Sequence, residues 1–150
     1  MRGIVLLPLI VLAGCSSAPA PDLGTPEGQL PPCPDTPNCV SSQAEDADHA
    51  VPPLRYEGSP EAAWKALREV LREQPRVTEI DHRAEEYLRA EFQSAVFRFV
   101  DDVEFLGVPE QKLIHVRSAS RIGYWDLGVN RRRVENIRQA FTARLGATSE

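Results

Sequence analysis

The chain has 150 residues, of which 42% are hydrophobic, and a formal net charge of −5. This length allows one domain with its own core once any targeting segment is removed. The acidic balance argues against a nucleic-acid-binding protein. The charge is uneven, because residues 111–145 hold eight basic residues against two acidic ones, while the rest of the chain holds nine against twenty. This basic segment therefore either pairs with the protein's own carboxylates or faces an anion.

The first fifteen residues, MRGIVLLPLIVLAGC, have the features of a bacterial export signal. Arg2 precedes an apolar run over residues 4–13 whose length is typical of a signal peptide and too short to span a bilayer as a helix. The ending LAGC resembles the bacterial lipobox, which implies a mature protein that starts at an acylated Cys15 and is held in a membrane by its acyl chains. An ordinary secretory signal or an uncleaved anchor is the alternative.

The segment after Cys15 predicts where the protein is held. Ser16 stands where an aspartate would resemble an inner-membrane retention signal, which favours an outer-membrane protein facing the periplasm. Residues 16–32 are rich in Pro, Ser, Gly and Ala and predict a flexible tether. The chain therefore divides into a signal peptide (1–14), the lipidated cysteine and tether (15–32), one domain (33–146) and a tail (147–150).

Two cysteines remain once Cys15 is lipidated, Cys33 and Cys39 in the sequence CPDTPNC. An exported domain meets oxidising conditions, so this even pair in a short loop favours a disulfide. Free thiols or a metal site are the alternatives, although a zinc site needs four ligands and this pair supplies two. We expect no metal and no cofactor.

The first half of the domain predicts a short strand and a helix. The strand covers residues 53–57, and Ser59 and Pro60 suit the N-cap and first position of a helix that Pro75 ends. The apolar positions of this helix recur at helical spacing: Trp64, Leu67 and Leu71.

Alternating segments then predict strands over residues 77–82 and 87–93, and a further strand that starts at Ala95. Continuing the alternation of that further strand puts Asp101 on its apolar face. A bulge or turn at Asp101-Asp102 would remove this contradiction, and we favour it. The alternative is a carboxylate placed in the interior, which would need a cationic partner.

A last strand begins at Leu113 and is followed by an amphipathic helix. Ser118 and Ser120 extend the inward face of the strand, and Asn130 fits the N-cap of the helix. The apolar positions of the helix are Val134, Ile137, Phe141 and Leu145. The resulting order, β-α-β-β-β-β-α, predicts a two-layer α+β fold, with an antiparallel sheet of about four or five strands and both helices on one face.

Two stretches of this domain carry a family resemblance. The run HVRSASRIGYWDLGVNRRRVENIR resembles the signature of a bacterial family catalogued as domain-of-unknown-function family 1499, and CPDTPNCVSS is similar to the start of the same family. The resemblance covers roughly Cys33 to Leu145. It implies a fold unit and no reaction.

The junction between the last strand and the last helix is a candidate anion-binding pocket. Its residues are Ser118, Ser120, Arg121, Asn130 and Arg131. A helix N-terminus favours anions through its free N–H groups, and here it also carries three arginines in its first turn. The alternative, which we favour, is a structural cluster in which the nearby carboxylates pair with these arginines: Asp101, Asp102 and Asp126.

Other catalytic and metal templates are missing from the sequence. There is no G-x-S-x-G sequence, and His49, His82 and His115 show no metal-binding spacing. Tyr124 and Trp125 could line a ligand or partner surface, but aromatic residues in turns more often fill the nearby core, which is what we expect here.

Two classes of function remain. The favoured one is a non-catalytic envelope lipoprotein, membrane-anchored through its N-terminal lipid, whose domain binds a small anion, a lipid headgroup or an envelope protein. The alternative is an enzyme for a small anionic substrate, with Asp101 or Asp126 as acid/base and Arg131 as an electrostatic clamp.

Overall fold

The structure, a computed structural model, describes residues 28–83 and 85–148. The predicted signal peptide, the lipidation site Cys15 and most of the tether lie outside the described residues. Within the described part of the chain, no helix combines the length and the apolar character needed to cross a membrane.

The described residues form one antiparallel sheet and two helices. The elements in chain order are β1 (Cys39–Ser41), β2 (Leu54–Arg55), α1 (Pro60–Glu73), β3 (Val77–Arg83), β4 (Tyr87–Gln93), β5 (Val100–Val108), a short 3-10 turn (Pro109–Gln111), β6 (Leu113–Ser120) and α2 (Val129–Thr148). The sheet order is β1-β6-β5-β4-β3, and β2 also pairs with β6. This arrangement confirms the predicted α+β fold and adds one strand, β1, that the sequence does not predict.

Helix α1 begins and ends where its sequence predicts. The Ser59 hydroxyl accepts a hydrogen bond from the Ala62 N–H at 3.2 Å, and Pro60 occupies the first helical position. The helix ends at Glu73, because the residue before Pro75 is disfavoured in helical geometry. Its apolar face is buried: Ala63, Trp64, Ala66, Leu67, Val70 and Leu71.

The core lies between the two helices and one face of the sheet. Leu88 and Phe92 of β4 share this face with Phe105 of β5 and Val116 of β6, and all four are buried. Helix α2 adds Val134, Ile137 and Phe141 to the same cluster. Burial of each large side chain stabilises the fold by about 1.5 to 3 kcal/mol. Both helices therefore cover the same face of the sheet, as predicted.

Strand β5 corrects two expectations. It begins at Val100 rather than Ala95, because residues 94–99 form a hairpin loop in which the Ser94 N–H donates to the Phe99 carbonyl at 2.8 Å. Its pairing with β4 and β6 then runs without a break through Asp101. The favoured bulge at Asp101-Asp102 is therefore wrong, and the Asp101 carboxylate lies on the helix side of the sheet, where it is buried.

Candidate functional site

The end of β6 and the start of α2 meet at a fully buried amide, Asn130. Its Oδ1 accepts a hydrogen bond from the Ser118 hydroxyl at 2.6 Å. Its Nδ2 lies within donor distance of the Asn38 carbonyl (2.9 Å), the Ser120 hydroxyl (3.0 Å) and the Asp126 carboxylate (2.9 Å). The structure therefore brings Ser118, Ser120 and Asn130 together as the sequence predicts, within a network that also includes Asn38.

Asp126 caps helix α2. The helix begins at Val129, so Asn130 is its second residue and the predicted N-cap role of Asn130 is wrong. The two carboxylate oxygens of Asp126 accept hydrogen bonds from the N–H groups of Gly128 and Asn130, each at 2.8 Å. A carboxylate of the protein thus lies where the helix dipole and free N–H groups favour an anion.

Asp101 forms an ion pair with Arg133. The same guanidinium donates to the Ser118 hydroxyl at 3.0 Å and to Asn130 Oδ1 at 2.5 Å, and it lies 4.8 Å from the centre of the Phe92 ring. The buried carboxylate on the apolar face of β5 therefore has a cationic partner, and that partner is the third arginine of the run.

The first two arginines of the run point elsewhere. Arg131 donates to the backbone carbonyls of Ala50 at 2.7 Å and Asp48 at 2.6 Å, and Arg132 donates to the Leu127 carbonyl at 2.9 Å. Both side chains belong to exposed residues. Among the ion pairs of the described residues, none joins an arginine to Asp126.

Arg121 lies on the opposite face of the sheet. It forms ion pairs with Asp102 and Glu91, and Asp102 also accepts from Arg89 Nη2 at 2.8 Å. Burial raises the pKa of Asp102, but the hydrogen bonds from Arg121 and Arg89 outweigh this effect and hold the pKa below its ordinary value of 3.8. Asp102 is therefore ionised at neutral pH and neutralised by two arginines.

A second buried acid, Glu104, lies on the same face. Arg117 Nη1 donates to it at 3.1 Å and the Tyr87 hydroxyl donates at 3.0 Å. Burial raises the pKa of Glu104, while the charge of Arg117 and the Tyr87 hydrogen bond act in the opposite direction. Burial, together with the charge of Glu104, also raises the pKa of Tyr87, so this hydroxyl keeps its proton and remains a donor.

One Ser–His contact joins residues that are far apart in the chain, so no local sequence pattern predicts it. The Ser42 hydroxyl lies 2.9 Å from His115 Nδ1 and accepts from the Val116 N–H, also at 2.9 Å. Burial and the nearby charge of Arg55 lower the pKa of His115. His49 lies elsewhere, 2.7 Å from Asp46, and the side chain of His82 is outside the described part of the chain.

In residues 28–83 and 85–148, no group of three or more His, Cys, Asp or Glu side chains is arranged to hold a metal ion. Cys33 and Cys39 are joined by a disulfide, as predicted, and supply no ligands.

Two loops expose apolar side chains, although the sequence predicts that Tyr124 and Trp125 fill the core. Tyr124 and Trp125 are 70% and 67% exposed, so that expectation is wrong. In the loop between β4 and β5, Val96 and Phe97 are 79% and 68% exposed. In the sequence, the exposure of these side chains is indicated only by their position next to Gly123 and Gly128 or in the turn after Ser94.

A cleft of ≈ 330 Å³ lies beside these loops. It is lined by Asp101, Arg133, Arg132, Arg76 and Phe92, among other residues. Arg132 and Arg76 are exposed residues, so two guanidinium groups face solvent next to the Asp101–Arg133 pair. The cleft can therefore accept an anionic group at its rim.

Comparison with known proteins gives a family and no function. A family model described as "Protein of unknown function (DUF1499)" matches residues 29–141. No curated protein and no solved structure matches the chain.

Proposed function

The chain belongs to the DUF1499 family of proteins of unknown function, and from that premise we propose that it is a lipid-anchored protein of the bacterial envelope whose folded domain is a non-catalytic binding module. The observation that carries the envelope assignment is the Cys33–Cys39 disulfide, a short distance downstream of the sequence LAGC. Disulfides persist in exported proteins and are rare in the reducing cytosol, so the bond supports export. The small residues before Cys15 support acylation at that cysteine.

The non-catalytic part of the proposal rests on how the buried acids are used. Asp101 pairs with Arg133, Asp102 with Arg89 and Arg121, and Asp126 accepts two backbone N–H groups of its own helix. A general acid or base must be within hydrogen-bond reach of its substrate. Carboxylates already engaged in this way support a structural role, and the exposed arginines at the cleft rim support binding of an anionic group.

Mass spectrometry of the protein extracted from membranes tests the anchor. We expect a mature N-terminus at Cys15 carrying acyl chains, and we expect Cys15→Ser to remove the acyl mass and the stable membrane association. A wild-type protein with an acyl-free N-terminus at another residue would contradict the proposal.

Membrane fractionation tests the location. We expect the wild type in the outer membrane and Ser16→Asp in the inner membrane, because an aspartate after the lipidated cysteine resembles a retention signal. Wild-type protein in the inner membrane would contradict the outer-membrane assignment while leaving the anchor intact.

A further inference from the structure

The exposed apolar side chains of the described residues are concentrated in two short stretches. Eight large hydrophobic residues are exposed, and all of them fall in residues 96–99 or 122–129. They are Val96, Phe97, Phe99, Ile122, Tyr124, Trp125, Leu127 and Val129. Single exposed apolar residues are ordinary, but a contiguous group marks an interaction site.

These two stretches lie at the same end of the sheet. Gln93 pairs with Val100 across the first loop, and the next residue of β5, Asp101, pairs with Ser120 at the end of β6. The Arg121 N–H donates to the Val100 carbonyl at 3.2 Å and links the two loops directly. Residues 96–99 and 122–129 therefore form one surface, which we call the apolar end.

The second loop is held in a fixed conformation that turns its apolar side chains outward. The Asn38 amide donates to the Gly123 carbonyl at 2.6 Å, and Arg132 donates to the Leu127 carbonyl. Leu127 has a φ of 57°, a left-handed conformation that branched apolar residues rarely adopt. The fold thus keeps Tyr124, Trp125 and Leu127 exposed at some conformational cost.

The surroundings of the apolar end are basic, in a chain that is acidic as a whole. The loops at residues 94–99 and 121–128 contain one exposed arginine, Arg98, and one acid, Asp126, which caps α2, while Arg121 is held in ion pairs with Asp102 and Glu91. The adjoining cleft adds the exposed Arg76 and Arg132. This charge favours an anionic surface as the partner.

We propose that the apolar end inserts into the surface of an anionic lipid bilayer. Tryptophan and tyrosine are the residues enriched at the boundary between headgroups and acyl chains, and arginines beside them interact with anionic headgroups. The proposal rests on the proposed function in one respect, because the bilayer in question is the one that holds the acylated Cys15.

The length of the chain before the domain permits this orientation. Cys15 and Gly28 are thirteen residues apart, a stretch that can reach about 45 Å. Leu30 packs against Tyr87 and Leu106, at the end of the strands away from the apolar end. The distance back along β4 is roughly 20 Å, so a lipid at Cys15 and the apolar end can reach the same membrane.

Tryptophan fluorescence of the full acylated protein in vesicles tests the inference. The chain has two tryptophans, and Trp64 is buried in the core, so a change in emission reports on Trp125. In vesicles of phosphatidylethanolamine and phosphatidylglycerol we expect a blue-shifted emission that brominated lipids quench. We expect Trp125→Phe to abolish both effects and leave only the Trp64 signal.

Two variants test the apolar and the basic parts separately. We expect Phe97→Ser, in the other loop, to lower the ratio of inserted to free Trp125 about tenfold, because a large apolar side chain no longer leaves water. We expect Arg98→Gln, which removes an exposed cation in the same loop as Phe97, to lower the preference for phosphatidylglycerol over phosphatidylcholine vesicles about fivefold. Lys112→Gln, an exposed cation at the opposite end of β6, is the matched control and should change neither ratio.

Failure of this inference and failure of the proposed function give different results in these measurements. Protein that is acylated and vesicle-bound, with Trp125 quenched by aqueous iodide and not by brominated lipid, would overturn the inference and leave the proposed function intact. Shielding of Trp125 by self-association in the absence of lipid would overturn it as well, in favour of an interface between two copies. An acyl-free protein in the mass spectrum would contradict the proposed function, and it is measured independently of Trp125.

Discussion

Asp101 and Arg133 place a charge pair in the layer between the helices and the sheet. Asp101 is 8% exposed, and the arginine also contacts Ser118, Asn130 and the Phe92 ring. Water cannot replace either partner well at such a site. Loss of one charge therefore leaves the other buried and uncompensated, which is the most damaging way to break a buried pair.

We expect Arg133→Met to lower the free energy of unfolding by about 3 to 5 kcal/mol. Arg131→Met, two positions earlier in the same turn, removes hydrogen bonds to the Asp48 and Ala50 carbonyls at the surface and should lower it by only about 1 kcal/mol. Urea unfolding of the two variants measures the difference.

A second change separates the lost charge from the lost contacts. The double variant Asp101→Leu with Arg133→Met should recover most of the stability, because an apolar pair of similar volume needs no compensation. Equal stability of Arg133→Met and Arg131→Met would show that the pair does not hold the turn to the sheet.

The sequence predicted part of this residue-level arrangement. Strand alternation put Ser118 and Ser120 on the face toward the helices, whereas an inward Asp101 with a cationic partner was the alternative to the favoured bulge. The choice of arginine could not be derived, because it depends on where α2 begins. Asp126 caps the helix three residues before Val129, and this changes which arginine of the run points to the sheet.

At the level of the elements, β4, β5 and β6 carry opposite kinds of side chain on their two faces. The face toward the helices is apolar except at the end that carries Asp101. The other face holds four buried charged residues: Arg89, Asp102, Glu104 and Arg117. Cross-strand ion pairs join these residues between neighbouring strands. The sheet is thus stabilised on one side by apolar burial and on the other by paired charges.

Asp102 makes this second face sensitive to acid. The pKa of Asp102 is lower in the folded protein than its ordinary value of 3.8, so below that pH the unfolded chain binds a proton more readily than the folded one. The contribution of Asp102 to stability is therefore complete above about pH 5 and is lost as the pH falls through the folded pKa.

We expect Asp102→Asn to lower the free energy of unfolding by about 1 to 3 kcal/mol at pH 7, with the difference from wild type shrinking below about pH 4. Urea unfolding across this pH range measures the effect. Glu57→Gln, which removes a 97% exposed carboxylate paired with Lys112, is the control and should change stability by less than about 1 kcal/mol throughout. A wild-type advantage that stays constant down to pH 3 would contradict the assignment.

The elements themselves were predictable wherever a periodic pattern extended over several residues. The bounds of β4 agree with the alternation of Tyr87 to Gln93, and those of α1 with the Ser59-Pro60 start and the Pro75 stop. Strand β1 has three residues, which is too short for a period, and the apolar residues at 95–99 alternate without being paired. Alternation alone cannot distinguish a strand from an apolar loop held away from the core.

At the scale of the whole molecule, the N-terminal part of the domain is joined to the sheet at two places. Leu30 packs against Tyr87 and Leu106, and the disulfide joins Cys33 to Cys39 at the start of β1. Asn38, next to the disulfide, donates to Gly123 and accepts from Asn130. The disulfide therefore lies beside both the buried amide network and the apolar end.

We expect reduction of this disulfide to destabilise the domain without unfolding it. The bond closes a loop with a sequence separation of 6, which corresponds to about 2 kcal/mol of lost chain entropy in the unfolded state. For a domain of this size, that difference lowers the melting temperature by roughly 5 to 10 °C. The described residues of the main core all lie outside the loop between Cys33 and Cys39, so the reduced protein should keep a cooperative transition. Calorimetry with and without a reductant measures the shift, and Cys33→Ala with Cys39→Ala should melt near the reduced wild type and be insensitive to reductant. An unchanged melting temperature on complete reduction would mean that the pairing of β1 with β6 and the hydrogen bonds of Asn38 hold this segment to the sheet without the disulfide.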